Sequence, residues 1–326
     1  MSEPVRAGRD PVHPLPPSPS GAPPKGRSDL PARLVSASIL VPAVLFVIAR
    51  GGLWVLGTVV ILVVLAQREL YGLIEDKGAR PVVGFGLAAG AALPVVAYIG
   101  NEYHATVLLT FGLIAVMIAQ LRRRQVTEAM ASISGTFFGI FYVGWLLSHA
   151  IPLRFFTERI VSSEGPAAAA RLGLLPKSGA FLLVYCLTVV VWCDAGAYFV
   201  GRAYGKRKLA PSISPSKSVE GAIGGLVLGT LGGGVMKGIF DLLWPGLSTV
   251  LGWPLVFAFG PLIAIAGMIG DLVESLLKRD AKVKDAGALL PGMGGILDRI
   301  DAPLLGIPVM YYLMLFWVWL QVGASP

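Results

Sequence analysis

Charge is scarce in this chain. Only 14% of its 326 residues are Asp, Glu, Lys or Arg, against about 25% in an ordinary soluble domain. Hydrophobic residues make up 55%, and the mean hydropathy is +0.73, which excludes a water-soluble globular domain. Cysteine is nearly absent. Cys186 and Cys193 share one apolar run, so neither a disulfide framework nor a cysteine zinc site is implied. The three histidines, His13, His104 and His149, fall outside the charge-rich loops, and a histidine-type metal site is not expected. Neither GxxxxGK(S/T) nor GxGxxG occurs, which removes the common nucleotide-binding loops. No basic block is interleaved with aromatics, so the net charge of +8 does not point to nucleic acid. The start of the chain also lacks the apolar segment of a signal peptide.

What the chain does have is long apolar runs. They lie near 34–49, 53–67, 82–100, 105–121, 131–152, 179–200, 219–243, 254–276 and 302–321. Several approach the roughly 20 residues that a helix needs to cross a bilayer. The expected fold is all-α, a polytopic integral membrane protein with about nine transmembrane helices. Its 41 glycines suit close helix packing in lipid. Residues 1–30 are rich in Pro, Ser and Gly and cannot bury a core, so a disordered tail is expected there. Residues 31–178 then form N-terminal transmembrane helices, and 179–326 a second membrane region with polar loops at 201–218 and 277–301. The 219–243 span carries Lys237 and Asp241, so its length is the least secure.

Lys and Arg placement sets the orientation. With the N-terminus inside, the inner loops collect Arg68, Lys77, Arg80 and Arg122–Arg124. They also collect Arg202, Lys206–Lys208 and Lys217, then Lys278, Arg279, Lys282, Lys284 and Arg299. The outer loop at 153–178 is a mild exception. Loops 201–218 and 277–301 are therefore expected to face the cytoplasm, provided that the helix count is odd.

Three constellations could carry chemistry. Asp271, Glu274, Ser275 and Lys278 are spaced i, i+3, i+4 and i+7, which puts them on one helical face. Ionisable residues in a membrane helix default to a functional reading. Glu274 and Lys278 alone could equally be an intrahelical pair, whereas Asp271 has no partner four residues on. Asp298, Arg299 and Asp301 form the second group, after the glycines at 292, 294 and 295. Paired carboxylates suit Mg²⁺, which takes oxygen ligands. The competing reading is acidic decoration of a helix start, which explains Asp301 better than Asp298. The third group runs from Asp194, Tyr198 and Arg202 on one face to Ser214, Pro215, Lys217, Ser218 and Glu220. Ser218 reads as an N-cap, and a helix start preceded by Ser and Lys suits phosphate.

The stretch from Ser275 to Asp301 resembles the signature of the phosphatidate cytidylyltransferase, or CDP-diacylglycerol synthase, family. Ser275, Lys278-Arg279, Lys284-Asp285, Gly287, Leu290-Pro291-Gly292, Gly294-Gly295, Asp298-Arg299 and Asp301 all fall in register. The upstream Asp194, Ala197-Tyr198, Gly201-Arg202 and Ser214-Pro215, Lys217-Ser218, Glu220-Gly221 are similar to it too. The resemblance covers about 179–322, with Glu69 as one recognisable point further upstream. One departure is Met293, where the family has His. The resemblance implies that CTP and phosphatidate react to give CDP-diacylglycerol and pyrophosphate, in a multi-pass protein of the inner (cytoplasmic) membrane. It implies Asp271, Asp298 and Asp301 as Mg²⁺ ligands and catalytic residues, with Lys278. Ser214, Lys217, Ser218, Arg202, Arg279, Lys284, Asp285 and Arg299 would bind substrate. A second, monovalent cation and a homodimer are further possibilities within the family. Two other readings stay open: a CTP-dependent polyprenol or phytol kinase, and a transporter. A transporter would place its ionisable groups near the midplane, whereas here they cluster at helix ends.

Overall fold

A computed structural model of the chain describes residues 30–100, 102–123, 127–289 and 294–323, the side chains of 30–37, 102 and 323 aside. The N-terminal tail and the segment with Met293 lie outside the described residues. The helices are α1 (Leu30–Arg50), α2 (Gly52–Asp76), α3 (Val83–Ile99), α4 (Glu102–Leu121) and α5 (Ala129–Arg154). Two short helices follow, α6 (Phe156–Glu164) and α7 (Pro166–Arg171), and then α8 (Ser178–Tyr204). The second half continues with α9 (Val219–Leu243), α10 (Pro245–Ser248), α11 (Trp253–Asp280) and α12 (Leu297–Gly323).

The fold is that of an all-α, multi-pass membrane protein, and each expected apolar run lies on a helix. Among the described residues, seven helices are long and apolar enough to cross a membrane. The apolar parts of α1 and α3, Ser38–Arg50 and Val83–Ile99, are shorter, so this measure counts seven rather than about nine.

Contacts at the helix ends constrain the path. Lys77, just past α2, pairs with Asp280 at 2.8 Å. At the end of α4, the Arg123 guanidinium donates to the carbonyls of Arg80 and Pro81. The C-terminal ends of α2, α4 and α11 therefore share one end of the bundle. Because α4 arrives there, α3 has to carry the chain away to the opposite end. Its 17 residues are at the lower limit for a span. At that opposite end the α1–α2 turn meets the end of α5, where Arg154 Nε donates to the Ile48 carbonyl at 2.6 Å. Gly51 makes this turn with φ of 65°, and a Cβ there would lie 2.7 Å from the Arg154 guanidinium.

Glycine sets the closest packing. Gly221, Gly225 and Gly229 form one stripe of α9 against α8. A methyl on any of the three would sit 2.8 Å from the carbonyl oxygen of Ala197, Cys193 or Val189 respectively. Small residues at every fourth position let two backbones touch in lipid. Deeper in α9, Lys237 pairs with Asp241, which also accepts from Ser248 Oγ at 2.6 Å. This internal pairing is how the span tolerates two charges.

The loop at 201–218 is more ordered than an all-α reading expects. Strands β1 (Lys208–Ala210) and β2 (Ser214–Ser218) form an antiparallel pair, with Lys208 opposite Ser218 and Ala210 opposite Ser214. The Glu220 carboxylate accepts from the amides of Lys206 and Arg207 at 3.0 and 3.1 Å, closing the hairpin onto the start of α9.

Candidate active site

The site begins with one face of α11. Asp271, Glu274 and Lys278 are brought opposite the start of α12 because Gly270 has no side chain. A Cβ there would collide with the Asp301 carbonyl oxygen. Helix α12 thus approaches α11 backbone to backbone, and Asp301 joins the face. Oxygens of Asp271, Glu274 and Asp301 all lie within 4.8 Å of one another.

Carboxylates so close repel unless cations answer them. Lys217 Nζ, from β2, is 2.6 Å from Asp271 Oδ2. Lys278 Nζ is 2.5 Å from Glu274 Oε2 and 2.7 Å from Asp298 Oδ1. With all four ionised, the carboxylates against two ammonium groups leave an excess of two negative charges. The charge of Asp194 reaches Asp271 and Asp301, and that of Arg299 reaches Asp194. Glu274 is fully buried, and Lys278 answers it at Oε2. An all-oxygen set with a net negative charge, one carboxylate of it fully buried, fits a hard divalent cation.

Asp298 sits beside this cluster, joined to Glu274 through Lys278. Its Oδ1 takes Lys278, and its Oδ2 accepts from the amides of Ala286 and Gly295 at 3.0 and 2.8 Å. With both oxygens engaged, Asp298 holds the polar loop in place, and Glu274 occupies the third position of the carboxylate cluster. Glu69 holds the same loop from α2. Its two oxygens accept from the amides of Ile296 and Leu297 at 3.0 and 2.8 Å. The carboxylate lies directly against Gly287 and Gly295, where any side chain would overlap it.

The remaining expected residues sit around this centre. Arg279 Nε donates to the Ile213 carbonyl at 3.3 Å, joining α11 to the hairpin that carries Ser214 and Lys217. Ser214 Oγ is 3.5 Å from Ser216 Oγ. Ser218 caps α9, its Oγ accepting from Gly221 N at 3.1 Å, and is buried. Arg202, Lys284, Asp285 and Arg299 are exposed at the rim, and Arg202 donates to the Tyr198 hydroxyl at 2.9 Å. Lys217, Lys278, Asp271, Asp298 and Asp301 are thus gathered at the cluster, four of them as the pairs Lys217–Asp271 and Lys278–Asp298, and the other seven lie around it. Glu274 shared the helical face in the sequence but could be read there as half of a bare ion pair. Its role in the cluster appears only once α12 is set against α11.

The chain is similar to known proteins over most of its length. Residues 31–317 match the model of the Cytidylyltransferase family. The phosphatidate cytidylyltransferase of Synechocystis sp. is 32% identical over 297 residues, covering 86% of this chain and 94% of that one. Those of Bacillus subtilis and Haemophilus influenzae are 46% identical over 132 residues and 41% over 141. The latter two alignments cover 40% and 43% of this chain, and 46% and 48% of theirs.

Proposed function

This chain belongs to the cytidylyltransferase family, and we propose that it transfers CMP from CTP to phosphatidate, giving CDP-diacylglycerol and pyrophosphate. The observation that supports this reading best is the Asp271–Glu274–Asp301 cluster, set between Lys217 and Lys278 where apolar helices end. An enzyme that joins a lipid to a nucleotide needs such a place. One substrate stays in the bilayer and the other arrives from water.

A phosphate oxygen of phosphatidate attacks the α-phosphorus of CTP. The bond from that phosphorus to the bridging oxygen breaks, and pyrophosphate leaves with the electron pair. A phosphate monoester has a second pKa near 6, so the attacking group is already largely a dianion and needs no strong base. The chain's task is to bring two polyanions together and to offset charge on the leaving group. Lys217 and the hairpin bearing Ser214 receive phosphate oxygens at the start of α9, while Lys278 neutralises Glu274 and fixes Asp298. The exposed Arg202, Arg279, Lys284 and Arg299 steer the substrates at the rim. Asp271, Glu274 and Asp301 would hold Mg²⁺, which supplies Lewis-acid stabilisation of the phosphoryl oxygens. By the distribution of Lys and Arg, this end of the bundle faces the cytoplasm.

The test is direct. Purified protein in detergent receives labelled CTP, phosphatidate and Mg²⁺. CDP-diacylglycerol should form, and should vanish in Asp271→Asn. If no nucleotide–lipid product forms with any divalent cation, the reading is wrong. A phosphorylated alcohol formed from CTP would assign the chain to the kinase class instead.

A further inference from the structure

Tyr142 is not among the residues that the proposed reaction uses. It lies in the π-helical turn Ile140–Trp145 of α5, a geometry found often at functional sites. The residue is 5% exposed. Its ring stacks on Phe138 at 5.0 Å between centroids, and it shares a buried apolar cluster with Leu297, Ile300 and Leu304 of α12. Yet its hydroxyl has no hydrogen-bond partner among the described residues. Leaving a buried hydroxyl unpaired costs about 1–3 kcal/mol, and buried tyrosines usually find a partner. The charges that reach it belong to Asp301, Glu274 and Asp271, the three members of the carboxylate cluster. A buried donor without a partner, from the N-terminal half, thus stands within reach of the buried carboxylates of the cluster.

We propose that Tyr142 is a positioning residue of the loaded site, whose hydroxyl donates to a phosphate oxygen of a substrate or to a water on the cation held beside Asp271, Glu274 and Asp301. The shared chemistry is a charged or metal-polarised oxygen acceptor. The inference rests on the proposed reaction. It explains why a polar ring is kept where Phe would fill the same space, and it makes the N-terminal half part of the chemistry.

Tyr142→Phe separates the possibilities, because it removes the hydroxyl and keeps the ring. Wild type and variant are melted in detergent while Mg²⁺ is titrated, then while CTP is titrated, and both are assayed with CTP and phosphatidate. Without ligands, Tyr142→Phe should melt at or above the wild-type temperature, since no hydrogen bond is lost. The midpoint of one ligand-induced shift, or one KM, should rise about fivefold, as for loss of a single hydrogen bond. A shift in the Mg²⁺ midpoint assigns the acceptor to water on the cation. A shift in the CTP midpoint or KM assigns it to the nucleotide, and a shift in the phosphatidate KM to the lipid. Unchanged midpoints and KM values overturn the inference, as does a ligand-free variant that melts well below wild type. A wild type that neither shifts nor turns over sinks the proposed reaction, and this inference with it. A normal wild type beside an unaffected variant sinks this inference alone.

Discussion

Glu69 accepts the amide hydrogen of Leu297 at 2.8 Å, across 228 residues of chain. Its other oxygen takes the neighbouring amide of Ile296, so one carboxylate from the second helix fixes the start of the last. In Glu69→Gln, an NH₂ group would face an N–H. The substitution should free the loop at a cost of about 1–3 kcal/mol. Limited proteolysis within 281–289 should become faster, and nucleotide transfer should drop, while α2 still inserts. Equal protease resistance would show that the loop is held by other means.

Lys278 is the shared counter-ion of Glu274 and Asp298. Lys278→Met leaves two buried carboxylates unanswered, and should destabilise by about 3–5 kcal/mol. Adding Glu274→Gln removes one of them and should recover part of the loss, so that the two substitutions are far from additive. Melting of both single variants and the double variant in one detergent measures this.

Lys217 and Asp271 yield a prediction with two opposite signs. Lys217→Met raises the excess negative charge of the cluster from two to three. Mg²⁺ should then bind more tightly, by about tenfold or more even at the dielectric of water, while the KM for CTP rises. Calorimetric or melting titration of Mg²⁺ gives the first, and steady-state kinetics the second. A weakened Mg²⁺ midpoint would mean that Lys217 helps to shape the metal site and does not compete with it.

The glycines should differ sharply in tolerance. Gly225→Ala puts a methyl 2.8 Å from the Cys193 carbonyl and should cost about 1–3 kcal/mol. Gly238→Ala, on the same helix, meets only the Trp253 ring at 3.9 Å and should be neutral. The melting temperatures of the two variants in detergent provide the comparison.

Much of the architecture is legible in the residue order, because hydrophobic runs of near-membrane length carry their own signal. The face of Asp271, Glu274 and Lys278 follows from helical spacing alone. Which carboxylates meet does not, because that depends on how α12 lies against α11. Gly270 decides it, and in the sequence Gly270 is one glycine among 41. Asp298 and Glu274 show the limit well. Both are acidic and both touch Lys278, yet one turns to loop amides and the other toward Asp271 and Asp301. Tyr142 was invisible for a different reason. It lies about 130 residues upstream of Glu274 in an aromatic stretch, where a tyrosine reads as packing. The β1–β2 pair was hidden inside what spacing and proline content mark only as a loop.

The glycine stripe between α8 and α9 has a mechanical consequence. Two helices whose backbones touch at Gly221, Gly225 and Gly229 leave no gap for an acyl chain and no slack for sliding. They form a stiff wall that carries Asp194 on one helix and, through the hairpin, Lys217 beside the other. A two-tailed lipid cannot part that wall. Its head group has to arrive, and the larger product to depart, along another seam of the bundle.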